Sequence, residues 1–166
     1  RGGLAIGTMF MMVAISAMNG LSVAGMAIGA TIALPEMLKR NYDKRMITGV
    51  VQAGSSLGIL IPPSVVMVLY GMIARQPVSK LWMAGILPGL LMASLFLIYI
   101  YVRCKLQPEL GPPLKKEERE VSTIEKIRLL KAGIIPFLIF FFMTGLFLMG
   151  IASLVECSAV GAFLAT

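Results

Sequence analysis

The sequence predicts an all-α, polytopic membrane protein with a re-entrant helical hairpin and discontinuous transmembrane helices. Three observations lead there. Of 166 residues, 58% are apolar and only 14% charged, with a mean hydropathy of +0.89, whereas soluble domains carry roughly a quarter charged residues. The apolar residues fall into four long blocks, separated by short runs that hold the Lys and Arg. Two of those blocks are interrupted in the middle by Asn, Gly, Ser or Pro.

The first block, within residues 1–38, is Leu4–Leu34. It is long for one crossing and is interrupted at Asn19-Gly20-Leu21-Ser22. Each half is short of the roughly 20 residues that a spanning helix needs. A helical hairpin that enters and leaves by the same face fits this pattern. One long tilted helix with a tolerated Asn-Gly is the other reading. The second block, 46–73, has no charge, yet Gly54-Ser55-Ser56-Leu57-Gly58-Ile59-Leu60-Ile61-Pro62-Pro63-Ser64 cannot continue a helix. Each Pro removes a backbone donor and clashes with the preceding turn, and Pro63 pushes Pro62 out of the helical region. In lipid, such backbone is tolerated only where protein or a water-filled cavity covers it.

The third block, 81–102, is 22 residues without a charge. At 1.5 Å per residue it reaches about 33 Å, enough for a hydrocarbon core of about 30 Å. Trp82, Tyr99 and Tyr101 lie near its ends, where amphipathic rings favour the interfaces, and Pro88 is expected to bend it. Residues 103–131 read as a linker and then a short amphipathic helix, with Ser122 and Glu125 as a capping box and Ile124, Ile127 and Leu130 on one face. A plain solvated charge run is the alternative. The fourth segment, 132–166, opens as a Phe-rich crossing and turns small and polar at Ser153, Glu156 and Ser158. Glu156 stands either at membrane depth, where a carboxylate is costly and usually functional, or at the interface.

Charge placement sets the expected orientation. Lys39, Arg40, Lys44 and Arg45 lie in the first loop, and eight Lys or Arg lie between Arg103 and Lys131. The loop between has only Arg75 and Lys80. By the positive-inside rule the two rich loops face the cytoplasm. The first block must then return to the face it entered, which favours the hairpin. The net charge of +7 therefore belongs to loops at a membrane surface. No basic stripe with interleaved aromatics is present, so nucleic acid is not an expected partner. We read the chain, which opens at Arg1 without a signal peptide, as an internal piece of a longer protein.

The residues also exclude chemistry. There is no His, so neither His acid–base catalysis nor a His-metal site is possible. The spacing of Cys104 and Cys157 suggests neither a zinc cluster nor a disulfide framework. Gly54, Ser56 and Gly58 have G-x-S-x-G spacing, but no strand precedes them and no base accompanies them. We expect no enzyme and no cofactor. The breaks at Asn19–Ser22 and Gly54–Ser64 are where function is expected, because secondary transporters build sites from discontinuous helices. Helix starts offer N–H groups to anions, and unwound carbonyls offer oxygen to Na⁺. For Gly25, Gly29, Gly85 and Gly89, close helix packing is the preferred reading.

Leu57-Gly58-Ile59-Leu60-Ile61-Pro62-Pro63-Ser64, preceded by Gly54 and followed by Tyr70-Gly71, resembles the signature of the large membrane subunit of tripartite ATP-independent periplasmic (TRAP) transporters. Leu34-Pro35-Glu36-Met37, Asn41-Tyr42-Asp43-Lys44-Arg45, Ala84-Gly85-Ile86-Leu87-Pro88-Gly89 and Gln107-Pro108-Glu109-Leu110 agree with it. Gly150-Ile151-Ala152-Ser153 with Glu156 resembles the opening of the family's second repeat, although Ser153-Leu154-Val155 stand where Thr-Pro-Thr is usual. The resemblance implies an inverted-repeat elevator transporter in a bacterial or archaeal inner membrane. It implies sodium-driven uptake of an organic acid, such as a C4-dicarboxylate or a sugar acid. An extracytoplasmic binding protein would deliver the substrate, and a small membrane subunit would brace the large one. The implied sodium site uses Asn19, Gly20, Ser22, Gly54, Ser55, Ser56, Ile61 and Pro62. Ser64 and Ser56 would face the substrate, and Ser153 and Glu156 are the candidates from the second repeat. An uncoupled channel or scaffold subunit is the alternative function.

Overall fold

A computed structural model describes residues 2–112 and 123–164. Among the described residues every regular element is helical. The chain divides into two compact units, Arg1–Leu114 and Lys115–Thr166.

In the first unit, α1 (Gly3–Asn19) ends because Gly20 takes a left-handed turn (φ 65°), its N–H donating to the Ser16 carbonyl at 2.9 Å. That is how glycine closes helices, since it alone enters this region without strain. Leu21 is extended, and α2 (Ser22–Ile28) starts back. A π-helical turn, Gly29–Ala33, joins α2 to α3 (Leu34–Lys39) without a gap. A Cβ on Gly25 would strike the Ser16 hydroxyl, and one on Gly29 would strike Met12 and Val51. These pairings run in opposite directions along the two helices, so α1 and α2 form an antiparallel helical hairpin. The packing role expected of Gly25 and Gly29 is borne out: only hydrogen fits there.

The next element, α4 (Lys44–Ser56), is capped by Asp43, whose carboxylate accepts from the Arg45 and Met46 amides. It tightens into a 3-10 turn, Leu57–Ile59, and stops. After an irregular stretch, α5 (Val65–Ala74) resumes. The break therefore falls where Gly54–Ser64 predicts it. The chain turns at Arg75 into α6 (Val78–Leu106). This helix is longer than the predicted 81–102 and continues through Pro88. It alone among the described helices is long and apolar enough to cross a membrane. Its Gly85 and Gly89 admit the Leu60 carbonyl and the Ile61 side chain, which again is close packing.

The core of this unit is rich in Met. Met9, Met12 and Met37 are fully buried, with Ile47, Val50 and Leu57 beside them. Unbranched and polarizable, Met fills the irregular gaps that a hairpin leaves against a broken helix. Tyr42 is buried in the α3–α4 loop. Burial pushes its phenol above the ordinary value, against a smaller opposite pull from the Leu4 and Ala5 amides.

In the second unit, α7 (Thr123–Leu148) is one continuous helix, where the sequence reading has an amphipathic segment and then a crossing. Ser122, half of the expected capping box, lies outside the described residues. Gly150 (φ 70°) turns the chain, and α8 (Leu154–Leu164) packs back on α7 through Gly161 against Met143.

Candidate functional site

The hairpin tip and the helix break are seated on each other. The Gly20 carbonyl accepts from the Val65 amide at 3.2 Å, and a Cβ on Gly20 would lie 2.5 Å from the Pro63 carbonyl oxygen. A Cβ on Gly58 would lie 2.5 Å from the Ser16 carbonyl oxygen. The last turn of α1 therefore meets the last turn of α4, while the starts of α2 and α5 meet at Gly20 and Ser64. Two carbonyl-bearing helix ends and two amide-bearing ends therefore meet at one junction. Helix C-termini favour cations and helix N-termini anions.

The break is held open by its own chemistry. Pro62 and Pro63 cannot donate, so the Gly58 and Ile59 carbonyls lose the partners that an α-helix would give them. The Leu57 carbonyl accepts from both Leu60 and Ile61, at 3.0 and 2.8 Å. Ser64 restarts the helix as its N-cap: its Oγ accepts from the Met67 amide at 3.2 Å. From α6, the Trp82 indole N–H donates to the Ser64 carbonyl at 3.3 Å.

Two hydroxyls here have no hydrogen-bond partner. Ser16 and Ser55 are both fully buried, and neither Oγ is satisfied. A Cβ on Gly25 would lie 2.0 Å from the Ser16 Oγ and 3.4 Å from the Ser55 Oγ, so the two are close neighbours. A buried hydroxyl left unpaired costs about 1–3 kcal/mol. Two of them side by side make an uncharged pair of unpartnered oxygens in the core of the junction.

The expected site residues separate into groups. Gly20, Ser55 and Ser64 are buried at the junction, with Ser22 half-buried beside them. Pro62 is buried and Ile61 half-buried in the break. Gly54 packs against Met12, one turn removed from the hydroxyl pair. Asn19 and Ser56 turn back on their own helices: the Asn19 amide donates to the Ile15 carbonyl and the Ser56 hydroxyl to the Ala53 carbonyl, both at 2.8 Å. Their side chains are spent on their own helices rather than on the hydroxyl pair. Ser153 and Glu156 form a capping box at the start of α8, with the Ser153 amide and hydroxyl donating to Glu156 Oε2 at 2.7 and 2.8 Å. The Ser-x-x-Glu spacing carries that signal in the sequence, and the sequence reading passes over it.

Ser16 is the residue that the sequence reading misses. Its signal is its place on the buried face shared with Met9 and Met12, at helical spacing. A lone Ser in an apolar helix is otherwise an ordinary sight. No cluster of His, Cys, Asp or Glu able to hold a metal exists among the described residues.

Secondary carriers build their sites from discontinuous helices, and a helical hairpin docked on an interrupted helix is an arrangement of that general kind. The family model for the tripartite ATP-independent periplasmic transporter, DctM component, matches residues 1–166, and the chain belongs to that family. It is 39% identical over 102 residues to the C4-dicarboxylate TRAP transporter large permease protein DctM of Pseudomonas aeruginosa, covering 61% of this chain and 24% of the relative. It is 36% identical to the protein of the same description in Vibrio cholerae, over 64% of this chain and 24% of the relative. The ectoine/5-hydroxyectoine TRAP transporter large permease protein UehC of Ruegeria pomeroyi is 38% identical, over 61% and 24%. These alignments each span about a quarter of the relative's length. Both DctM relatives are described as large permease proteins. No solved structure matches the chain.

Proposed function

We propose that this chain forms the ion-binding half of a permease that takes up an organic acid by sodium symport. The buried, unpartnered Ser16 and Ser55 hydroxyls carry this reading. Na⁺ is a hard cation that takes neutral oxygen ligands; the site supplies two unpartnered hydroxyls, and the helix break that Pro62 and Pro63 impose follows in the same chain segment. Binding there would satisfy groups whose burial otherwise destabilises the fold. Gly20, Ser22, Gly54, Ser55, Ile61 and Pro62 remain in the proposed site as backbone or side-chain neighbours. Asn19 and Ser56 contribute by backbone only. Ser64 Oγ accepts from the Met67 amide of α5, and its O–H hydrogen is left for a substrate carboxylate. Ser153 and Glu156 begin the matching element of a second repeat.

The rest of the reading rests on the family. The hairpin re-enters the membrane from the cytoplasmic face, in keeping with the Lys and Arg of its flanking loop. The whole permease sits in the inner membrane as a multi-pass protein and works by an elevator motion. A small membrane subunit and an extracytoplasmic binding protein complete it. Relatives named for C4-dicarboxylates, isethionate and ectoine set the substrate panel.

Reconstitution of the full-length parent with its small subunit and cognate binding protein tests this. Uptake of that panel, with sugar acids added, is measured with and without a sodium gradient. Uptake that needs both sodium and the binding protein is the expected result. Uptake that needs neither sinks the symport reading in favour of an uncoupled channel.

A further inference from the structure

A second cavity lies away from the helix junction. Helices α4 and α6 both pack on α1, and between them runs an open cleft of about 750 Å³, within the roughly 300–1,000 Å³ usual for small-molecule sites. Its two ends differ. One end has Ala53 on α4 and Leu95 and Phe96 on α6. The other has Asp43 and Arg45 at the start of α4, with Arg103 and Gln107 at the end of α6. Along α6, Leu95 to Gln107 covers about 18 Å at 1.5 Å per residue. The cleft is therefore apolar along most of its length and cationic at one mouth.

The two guanidiniums are exposed and neither has an ion-pair partner among the described residues, where the one salt bridge joins Arg40 to Glu36. The acid at the mouth is already engaged: Asp43 Oδ1 accepts from the Arg45 and Met46 amides at 2.9 and 3.1 Å. The mouth is left with a pair of unmatched Arg forks, the geometry that binds phosphate oxygens two at a time, above a trough of aliphatic and aromatic carbon. Both Arg belong to the loops whose charge excess marks the cytoplasmic side, where anionic lipids lie and basic pockets between helices take their head groups.

We propose that this cleft binds one anionic phospholipid, its phosphate on Arg45 and Arg103 and an acyl chain along Ala53, Leu95 and Phe96. The site is separate from the sodium junction and does not depend on the transport reading. Native mass spectrometry of the purified full-length parent tests it. The probes are phosphatidylglycerol, phosphatidylcholine with the same acyl chains, and glycerol 3-phosphate as a head group alone. Phosphatidylglycerol is expected to be retained over phosphatidylcholine by roughly tenfold or more, because both carry the phosphate but the choline ammonium offsets its charge beside two guanidiniums. Glycerol 3-phosphate is expected not to be retained. Arg45→Gln with Arg103→Gln should abolish the preference, while Arg75→Gln with Lys80→Gln, at the other end of α6, should leave it. Ala53→Trp, which fills the apolar end, should reduce retention of both lipids. Equal retention of the two lipids overturns the proposal, as does equal loss in both charge variants. Retention of glycerol 3-phosphate alone overturns it in favour of a soluble anion site.

Discussion

Gly25 and Gly49 give the sharpest contrast between two positions of one residue type. A Cβ on Gly25 would lie 2.0 Å from the Ser16 hydroxyl, whereas one on Gly49 meets nothing within 4 Å. Gly25→Ala should lower the thermal stability of the parent, by about 1–3 kcal/mol of overpacking. Gly49→Ala should hold or raise it, since Ala is favoured by up to about 1 kcal/mol in a helix. Thermal unfolding of the two purified variants checks both. Ser16 and Ser55 separate structure from function in the same way. As purely structural groups they are buried and unsatisfied, so Ser→Ala should be neutral or stabilising. As sodium ligands they should be needed, so Ser16→Ala or Ser55→Ala should raise the sodium concentration for half-maximal uptake without loss of stability. A sodium titration that overlays the wild type would remove these hydroxyls from the site.

The helix break is a property of an element, and its causes are local. Pro62 and Pro63 delete two donors, and Ser64 caps the helix that resumes after them. Pro62→Ala with Pro63→Ala should let α4 run on toward α5, closing the carbonyls and weakening sodium binding. Unchanged sodium dependence of uptake would count against carbonyl ligation. Ser64→Ala should cost about 0.5–2 kcal/mol through loss of the cap, read as a fall in the unfolding midpoint. At the start of α8, Glu156 holds the Ser153 amide and hydroxyl, and Gln serves as well as Glu in such a box. Glu156→Gln should therefore keep the fold. Transport lost in that variant at normal membrane levels would assign the charge itself a function; normal transport would leave Glu156 a capping residue.

At the scale of the whole chain, the main helices and both breaks are legible in the residues, and the contacts between them are not. Apolar blocks, Asn19-Gly20 and Pro62-Pro63 act on the backbone within a few residues, so they can be read in a line of sequence. The α6 span, the Ser64 cap and the break at Gly54–Ser64 all obey such local rules. Other features depend on partners distant in sequence. That Ser16 meets Ser55, that Gly20 accepts from Val65, and that Asn19 and Ser56 turn back on their own helices are outcomes of packing. So is the cleft between α4 and α6. By itself the sequence determined an apolar helical chain with two interruptions, because helix formation and its failure depend on local donors, sterics and solvation. The tertiary structure alone decided which oxygens face each other at the junction, because hydroxyls near or far in the chain look alike until the backbone brings them together.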